Sequence, residues 1–326
     1  MLDKNQSKLE KPQETIIYSE GLTKQFNSHT AVNKINLNIP HGSIFGFIGP
    51  SGCGKTTTVR LLTGLYQPTS GQATVLGEVP SRFSRATRAQ IGYMPQQFVL
   101  YDDLSVWENL HFAASLYGVG FKRRSRLDEL LAFVELLDDK HKLVRNLSGG
   151  MRRRLSLAAT LIHNPTLLFL DEPTAGIDPV LRRKFWDHFK ALQAANHSLF
   201  VTTQYVGEAA YCDYVGVMDQ GNLLMVETPE GLRHRAFGGE VVNLRLTQHL
   251  PYALLTEFRA CDFVTGSVTR SGDRNFQIVV QDASTAIPHI LEWCQAKNTE
   301  VESIEEYLPP FDDVFVELIK EAKHYA

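Results

Sequence analysis

The stretch Gly49-Pro50-Ser51-Gly52-Cys53-Gly54-Lys55-Thr56 fits the pattern G-x-x-x-x-G-K-[ST] of a phosphate-binding P-loop. A continuous apolar run at 44–48 precedes it and predicts a buried strand, and residues 57–65 predict a helix. The glycines let successive backbone N–H groups point at one anion, and the start of the helix adds free N–H groups and a positive dipole end. We therefore expect Lys55 to contact the β- and γ-phosphates of a nucleoside triphosphate, and the Thr56 hydroxyl to hold Mg²⁺.

Length and composition set the limits around this loop. The 326 residues suggest two domains, and 43% hydrophobic with 21% charged residues is typical of a globular protein. A formal net charge of -3 does not suggest a dedicated nucleic-acid binder. The four cysteines are far apart in the sequence, which indicates reduced thiols and neither a disulfide framework nor a zinc site. No apolar run approaches the ~20 residues that cross a bilayer, and residues 1–14 predict a flexible polar tail.

A pair of carboxylates follows a second apolar run. Residues 166–170 predict a parallel strand that is buried on both faces, and Asp171 and Glu172 stand at its carboxyl end. Ligands of open α/β sheets bind outside these strand ends, and two buried charges without a cation are costly. We expect Asp171 to coordinate Mg²⁺ together with Thr56, and Glu172 to polarise the attacking water.

Two glutamines end two further predicted strands. Residues 91–96 predict a strand that ends at Gln96, and residues 198–203 predict a buried strand followed by Gln204. Helical patterns cover 103–118 and 126–137 between them.

A second anion site is predicted at the start of another helix. Ser148 is a suitable N-cap for a helix that runs to residue 162, and Gly149 and Gly150 leave its first N–H groups unshielded. Three consecutive arginines, at 152–154, oppose the helix dipole, so we expect them to face carboxylates, phosphates or solvent.

Specific roles can be predicted for two single residues, one before the P-loop and one within it. Phe26 lies in a polar turn before the P-loop, and its ring is either a satellite of the core or a stacking platform for adenine. Cys53 lies inside the phosphate cradle, where the N–H dipoles are expected to favour a thiolate.

Together these motifs resemble one family, the ATP-binding-cassette (ABC) ATPases that drive ABC transporters. The resemblance covers about residues 16–232 and rests on five motifs in the family's order. They are the P-loop at 49–56, the Q-loop glutamine Gln96, the signature Leu147-Ser148-Gly149-Gly150, the Walker B strand at 167–172, and the D-loop at 175–178 with Asp178.

The resemblance implies a fold, a set of site residues and partners. The fold is an α/β P-loop cassette over 15–235, with a RecA-like core, an antiparallel β subdomain and a helical subdomain at about 98–162. ATP is bound by Phe26, by residues 49–56, by Thr57 and by Gln96. Mg²⁺ is held by Thr56, Gln96 and Asp171, and hydrolysis uses Lys55, Glu172 and Gln204. Residues 147–150 and Met151 complete the ATP site of a second cassette in a head-to-tail dimer.

The resemblance also implies where the protein works. The partners are separate membrane-spanning permease subunits and a second cassette, identical or different, with no nucleic acid. The location is the cytoplasmic face of the bacterial inner membrane, as a peripheral protein. ATP is expected to join two cassettes and hydrolysis to separate them, and the motion is expected to reach the permease near Gln96.

Two positions depart from the family pattern. Met151 stands where the signature usually ends in glutamine, and this variant with its basic helix resembles the ABC-2 branch of drug and lipid exporters. Gln204 stands where the family usually places a histidine. A glutamine amide can donate a hydrogen bond to a γ-phosphate, but it cannot take up a proton. The sequence therefore leaves two alternatives beside an active exporter ATPase: a regulatory cassette with weak hydrolysis, and a soluble ABC-type ATPase that acts outside transport.

The last quarter of the chain predicts a separate small domain. Residues 239–307 follow the order βαββαβ, which favours a ferredoxin-like α+β domain, and residues 308–326 predict a terminal helix. This part shows no catalytic constellation, and packing or dimer support is favoured over a ligand site.

Overall fold

The computed structural model describes residues 15–120 and 123–324. The flexible tail predicted for residues 1–14 lies outside the described residues. The chain divides into two compact units, one that ends at Val226 and one that begins at Glu227. No helix within the described ranges is both long enough and apolar enough to cross a membrane.

One sheet organises the first unit. Its strands in the described residues are β1 (Thr15–Phe26), β2 (His29–Pro40), β3 (Ile44–Ile48), β4 (Ser70–Val75), β5 (Ile91–Met94), β6 (Leu167–Asp171), β7 (Ser198–Thr203), β8 (Tyr214–Asp219) and β9 (Asn222–Glu227). They lie in the order β4-β1-β2-β9-β8-β3-β7-β6-β5. The β1 strand pairs antiparallel with β2 and β4, whereas β8, β3, β7, β6 and β5 pair in parallel. The sheet therefore joins an antiparallel part to a parallel core.

The parallel core positions the candidate site. Every residue of β3, β6 and β7 is buried, which matches their almost continuous apolar sequences. Phe45 and Phe200 stack between β3 and β7 with ring centroids 5.3 Å apart. In the register of these strands Ile48 pairs with Thr203, and Asp171 pairs with Thr202. The P-loop, the two carboxylates and Gln204 therefore all leave the sheet at one edge.

Helices lie on and beside this sheet. They are α1 (Lys55–Leu62), α2 (Arg85–Arg88), α3 (Val106–Leu116), α4 (Arg123–Phe133), α5 (Gly149–Thr160) and α6 (Pro179–Ala194). The α3 helix begins later than the predicted residue 103 because Ser105 and Glu108 form a capping box. The α6 helix was not predicted, although Asp178 is its N-cap and Pro179 its first residue.

The second unit forms its own antiparallel sheet. Its elements are α7 (Pro229–Phe237), β10 (Glu240–Leu246), α8 (Tyr252–Arg259), β11 (Val268–Ser271), β12 (Asn275–Val280), α9 (Ala283–Ala296), β13 (Val301–Tyr307) and α10 (Phe311–His324). The strand order β11-β12-β10-β13 is that of a ferredoxin-like βαββαβ unit, as predicted. The β11 strand begins only at Val268. Before it, Thr265 and Gly266 both donate to the Val279 carbonyl, which breaks the regular ladder.

Candidate nucleotide site

The P-loop connects β3 to the eight-residue helix α1, as predicted. Gly52 and Gly54 have φ angles of +79° and +113°, a backbone region that favours glycine. A Cβ atom on Gly54 would also lie 2.3 Å from the Ala31 carbonyl oxygen, and one on Gly49 would lie 2.1 Å from that of Met218. Glycine is therefore favoured at Gly52 by the backbone angle, required at Gly49 by the space, and required at Gly54 by both.

Lys55 is held at the bottom of the loop. Its Nζ donates to the carbonyl oxygens of Gly49 at 2.8 Å and Pro50 at 3.0 Å, and the side chain is buried. The same Nζ lies 3.7 Å from Oε1 of Glu172. The arrangement places a positive charge between the loop and the carboxylates, where phosphate oxygens would meet it.

The two carboxylate oxygens of Asp171 differ in their hydrogen bonding. Its Oδ1 accepts hydrogen bonds from Thr202 Oγ1 at 2.6 Å and from Thr56 Oγ1 at 3.1 Å. Its Oδ2 is buried and has no hydrogen-bond partner among the described residues. A buried, unpaired carboxylate oxygen beside a threonine hydroxyl fits Mg²⁺, which binds proteins through one or two carboxylates together with substrate phosphates.

Glu172 lies next to Asp171 in an unusual backbone conformation. Its φ is +49°, and its N–H donates to Thr202 Oγ1 at 2.9 Å. Its Oε2 accepts from Gln96 Nε2 at 2.9 Å. The structure thus sets the Gln96 amide nitrogen against Glu172, while the hydroxyls of Thr56 and Thr202 donate to Asp171. A role for Gln96 as a Mg²⁺ ligand stays a prediction.

Thr202 was not singled out by the sequence analysis, yet its hydroxyl joins both carboxylate residues. We predict that Thr202→Val, which removes the hydroxyl and keeps the shape, lowers kcat for Mg-ATP about 10- to 100-fold, the scale of a lost hydrogen bond to a charged group. The Mg²⁺ concentration for half-maximal activity is expected to rise as well, because Asp171 loses its shortest hydrogen bond. Thr202→Ser is the matched control and should keep both values. Steady-state ATPase assays at varied Mg²⁺ test this, and unchanged kinetics in Thr202→Val would contradict it.

Gln204 follows β7 directly and is exposed. The chain after it is anchored by Glu208, which is buried and accepts from Thr174 Oγ1 at 2.7 Å. Arg182 lies over the Tyr205 ring at 3.8 Å and 3.6 Å from the Glu208 carboxylate. Neither Thr174 nor Glu208 was identified from the sequence. These contacts fix the backbone that follows Gln204, whose side chain is exposed at the carboxyl end of β7.

Phe26 lies at the end of β1 and is 40% exposed. Its ring meets Tyr66 edge to face at 5.5 Å, and Lys24 Nζ lies 5.1 Å from its centroid. Such a ring is held in place and still open to solvent, so its role as an adenine platform stays a prediction.

The signature residues form the start of α5. Leu147 is buried, and Ser148 caps the helix by accepting the Met151 N–H at 3.3 Å. A Cβ on Gly150 would lie 2.5 Å from Leu181 Cδ2 of α6, so glycine lets the two helices approach closely. Asp178 caps α6 through the N–H groups of Val180 and Leu181.

Two of the three arginines face carboxylates, as expected, and the third is buried against a backbone carbonyl. Arg152 pairs with Asp102 at 3.1 Å, and Arg154 pairs with Glu135 at 3.3 Å. Arg153 is buried and donates to the backbone carbonyl of Gln96 at 2.8 Å. It faces neither a carboxylate partner within ion-pair distance in the described residues nor solvent.

The thiolate expected at Cys53 is wrong. The side chain is 4% exposed, and this burial raises the pKa of the Cys53 thiol more than the nearby Lys55 charge lowers it. The loop's N–H groups serve the phosphate position, whereas the thiol points into the core.

We predict that Cys53 in the folded protein reacts with iodoacetamide at pH 7.5 much more slowly than in the chain unfolded in guanidinium, because burial both shields the thiol and raises its pKa. The rate should rise with pH beyond the ordinary range of a cysteine, because the raised pKa delays thiolate formation. Peptide mapping by mass spectrometry separates Cys53 from the other cysteines. Equal rates in the folded and unfolded chain would contradict the burial argument.

Comparisons with known proteins agree with this geometry. The family model described as ABC transporter matches residues 32–175. The daunorubicin resistance ATP-binding protein DrrA3 of Streptomyces coeruleorubidus is 35% identical over 308 residues, which cover 94% of this chain and 96% of that protein. The "Probable multidrug ABC transporter ATP-binding protein YbhF" of Escherichia coli K12 is 39% identical over 230 residues, 70% of this chain. The chain spans 40% of the length of YbhF.

A solved structure shows the same fold. The dimeric ATP-binding cassette MJ0796, described in a post-hydrolysis state with ADP and Pi, matches with a TM-score of 0.60 and 26% identity over 65% of this chain and 98% of that one. The cassette fold predicted from the motifs is therefore confirmed. The chain belongs to the ABC transporter family, among its ATP-binding proteins.

Proposed function

We propose that this chain is the ATP-hydrolysing motor subunit of an ABC-2 type exporter that works with separate permease chains. The observation that carries the proposal is the constellation at one sheet edge: Lys55 under the P-loop, the orphan oxygen of Asp171, and the buried Glu172 carboxylate between two donors. The relatives named for daunorubicin resistance and multidrug transport support the direction of transport.

The residues divide the chemistry as follows. The P-loop N–H groups and Lys55 bind and orient the β- and γ-phosphates. Thr56 and Asp171 would hold Mg²⁺, which neutralises charge on the phosphates. Glu172 polarises the attacking water and accepts its proton, while Gln96 keeps this carboxylate in place. Gln204 donates a hydrogen bond towards the γ-phosphate.

The site needs a second cassette. Ser148, Gly149 and Gly150 begin α5 with unshielded N–H groups and no acidic residue in the first turn, which favours an anion there. A Cβ on Gly149 would meet no atom within 4 Å, so the backbone at this point is accessible. We propose that this helix start contacts the ATP of a second subunit in a head-to-tail dimer.

An apolar patch near Gln96 provides the surface for the permease. Val99 is 76% and Leu116 is 70% exposed, and the half-exposed rings of Tyr101 and Phe112 pack edge to face with centroids 4.9 Å apart. Asn109 ties the two segments together, because it accepts the Tyr101 N–H and donates to the Tyr101 carbonyl. Exposed apolar side chains on two segments that Asn109 holds together fit a membrane-protein partner. The chain would then work at the cytoplasmic face of the inner membrane as a peripheral subunit.

Purification of the tagged chain from detergent-solubilised membranes tests this proposal. The expected result is Mg²⁺-dependent ATPase activity together with a polytopic membrane protein. Val99→Glu or Leu116→Glu should lose the membrane protein and keep the ATPase activity, whereas Val79→Glu, at an exposed apolar residue outside the patch, is the control. Recovery of ribosomes or DNA with no membrane protein would favour the soluble ATPase instead.

A further inference from the structure

Arg153 is a buried cation that contacts uncharged groups, namely backbone carbonyls and an aromatic ring. It is 5% exposed, and among the described residues it forms no ion pair. One guanidinium nitrogen donates to the Gln96 carbonyl at 2.8 Å, a second lies 3.5 Å from the Ala175 carbonyl, and the group covers the Phe98 ring at 4.8 Å. Burying a charge this deeply is costly unless its contacts are specific.

These contacts connect three segments of the site. Arg153 belongs to the first turns of α5, whose start is the signature. Gln96 and Phe98 belong to the segment that follows β5, and Ala175 precedes the D-loop aspartate. One side chain therefore touches the signature helix, the Q-loop and the D-loop segment at once.

The Q-loop contact continues into the chemistry. The carbonyl of Gln96 accepts from Arg153, and the side chain of the same residue donates to Glu172 Oε2 at 2.9 Å. Two hydrogen bonds thus lead from the signature helix to the carboxylate of the chain's own ATP site. The Asp171 and Glu172 carboxylates are also close enough to oppose the lowering of the Arg153 pKa by burial.

We propose that Arg153 is a positioning residue that connects the two half-sites carried by one chain. Resting on the proposed function, the P-loop side binds the chain's own ATP, and the signature serves the ATP of the partner. Movement of Gln96 when ATP binds is passed through the Arg153 guanidinium to the helix that presents Ser148 and Gly149. ATP bound in one half-site thereby sets the other half-site for dimerisation.

The neighbouring arginines of α5 make different contacts from those of Arg153. Arg152 and Arg154 stand on the same helix and form ordinary ion pairs with Asp102 and Glu135. Arg154 is also mostly buried and donates to the Val134 and Glu135 carbonyls. It is therefore a matched control for the loss of an anchored arginine from α5.

The experiment uses the full chain with Glu172→Gln, so that ATP is bound and hydrolysed slowly. Affinity for a fluorescent ATP analogue is measured at a protein concentration where the chain is monomeric, and dimer formation is followed by light scattering as Mg-ATP is increased. Arg153→Gln is expected to keep the nucleotide affinity and to raise the ATP concentration for half-maximal dimerisation by about tenfold or more, the scale of one lost charge-assisted hydrogen bond. Arg154→Gln should change neither value.

Each other result counts against the inference. Dimerisation of Arg153→Gln at the parent's ATP concentration overturns it, and so does a parallel loss of nucleotide affinity, which would make Arg153 a support of the pocket only. If Arg153→Gln does not fold, Arg153→Lys is used instead, because lysine keeps the positive charge and lacks the forked N–H donors of the guanidinium. It is also expected to raise the ATP concentration for half-maximal dimerisation. If the parent chain binds ATP and never dimerises, both the proposed dimer and this inference are wrong. If the parent dimerises and Arg153→Gln dimerises equally well, only the role of Arg153 is wrong.

Discussion

Glu172→Gln is expected to lower kcat for ATP hydrolysis about 100- to 1,000-fold, within the usual contribution of a positioned general base. The reason is specific to the geometry. Glu172 is buried and bonded by Gln96, and its other oxygen lies 3.7 Å from the Lys55 ammonium, so the carboxylate is held at the phosphate position. A glutamine keeps the shape and one acceptor oxygen, but it cannot accept the proton of the attacking water.

ATP affinity gives the second half of this prediction. Removal of the Glu172 charge also removes a repulsion towards the γ-phosphate, so the affinity for ATP should be equal to or higher than that of the wild type. Glu129→Gln, at an exposed carboxylate of α4, is the control and should leave both values unchanged. Assays of turnover and of equilibrium binding separate the two effects. Equal, slow hydrolysis by wild type and Glu172→Gln would show that Glu172 is not the base and would favour the regulatory cassette.

Most of the parallel core and the second unit followed from the sequence because burial and strand periodicity determine them directly. The strand β7 has the predicted bounds, since it is a largely apolar run that is buried along its whole length. The α6 helix was missed although its apolar residues Phe185, Trp186, Phe189 and Leu192 recur at helical spacing. In that case the signal was present in the sequence.

The site residues that were missed depend on tertiary pairing. Thr202 and Thr203 are adjacent in one strand and point to opposite faces, so only the register of β6 against β7 shows that Thr202 is the one beside Asp171. Arg152, Arg153 and Arg154 differ by about 100° each around α5, so the three cannot share one environment. The sequence does not say which of them turns inward. The left-handed backbone of Glu172 likewise carries no local signal.

Gln204 leads to the prediction with the most direct bearing on mechanism. Gln204→Ala is expected to lower kcat about 10- to 100-fold, the scale of one lost hydrogen bond to a charged transition state, with little change in ATP affinity. The segments on both sides of Gln204 are fixed, by β7 before it and by Glu208 after it, so the truncation should remove the amide without moving the loop. Retention of full kcat in Gln204→Ala would show that this side chain is not part of the chemistry.

The pH dependence of kcat distinguishes a glutamine from a histidine at position 204. Glutamine does not titrate, so residue 204 should cause no pH-dependent change in the wild-type kcat between pH 6 and 8. In Gln204→His the imidazole has an ordinary pKa of about 6.5, and the γ-phosphate beside it would raise that pKa, so kcat should gain a new pH-dependent step at or above this value. The comparison is made with Gln204→Asn, which keeps an amide and shortens its reach. If wild type and Gln204→His share one profile while Gln204→Ala is slow, position 204 acts as a hydrogen-bond donor in both proteins. That outcome would mean that the proton of the attacking water goes to Glu172 alone, and that a histidine at this position is not required for the cassette to hydrolyse ATP.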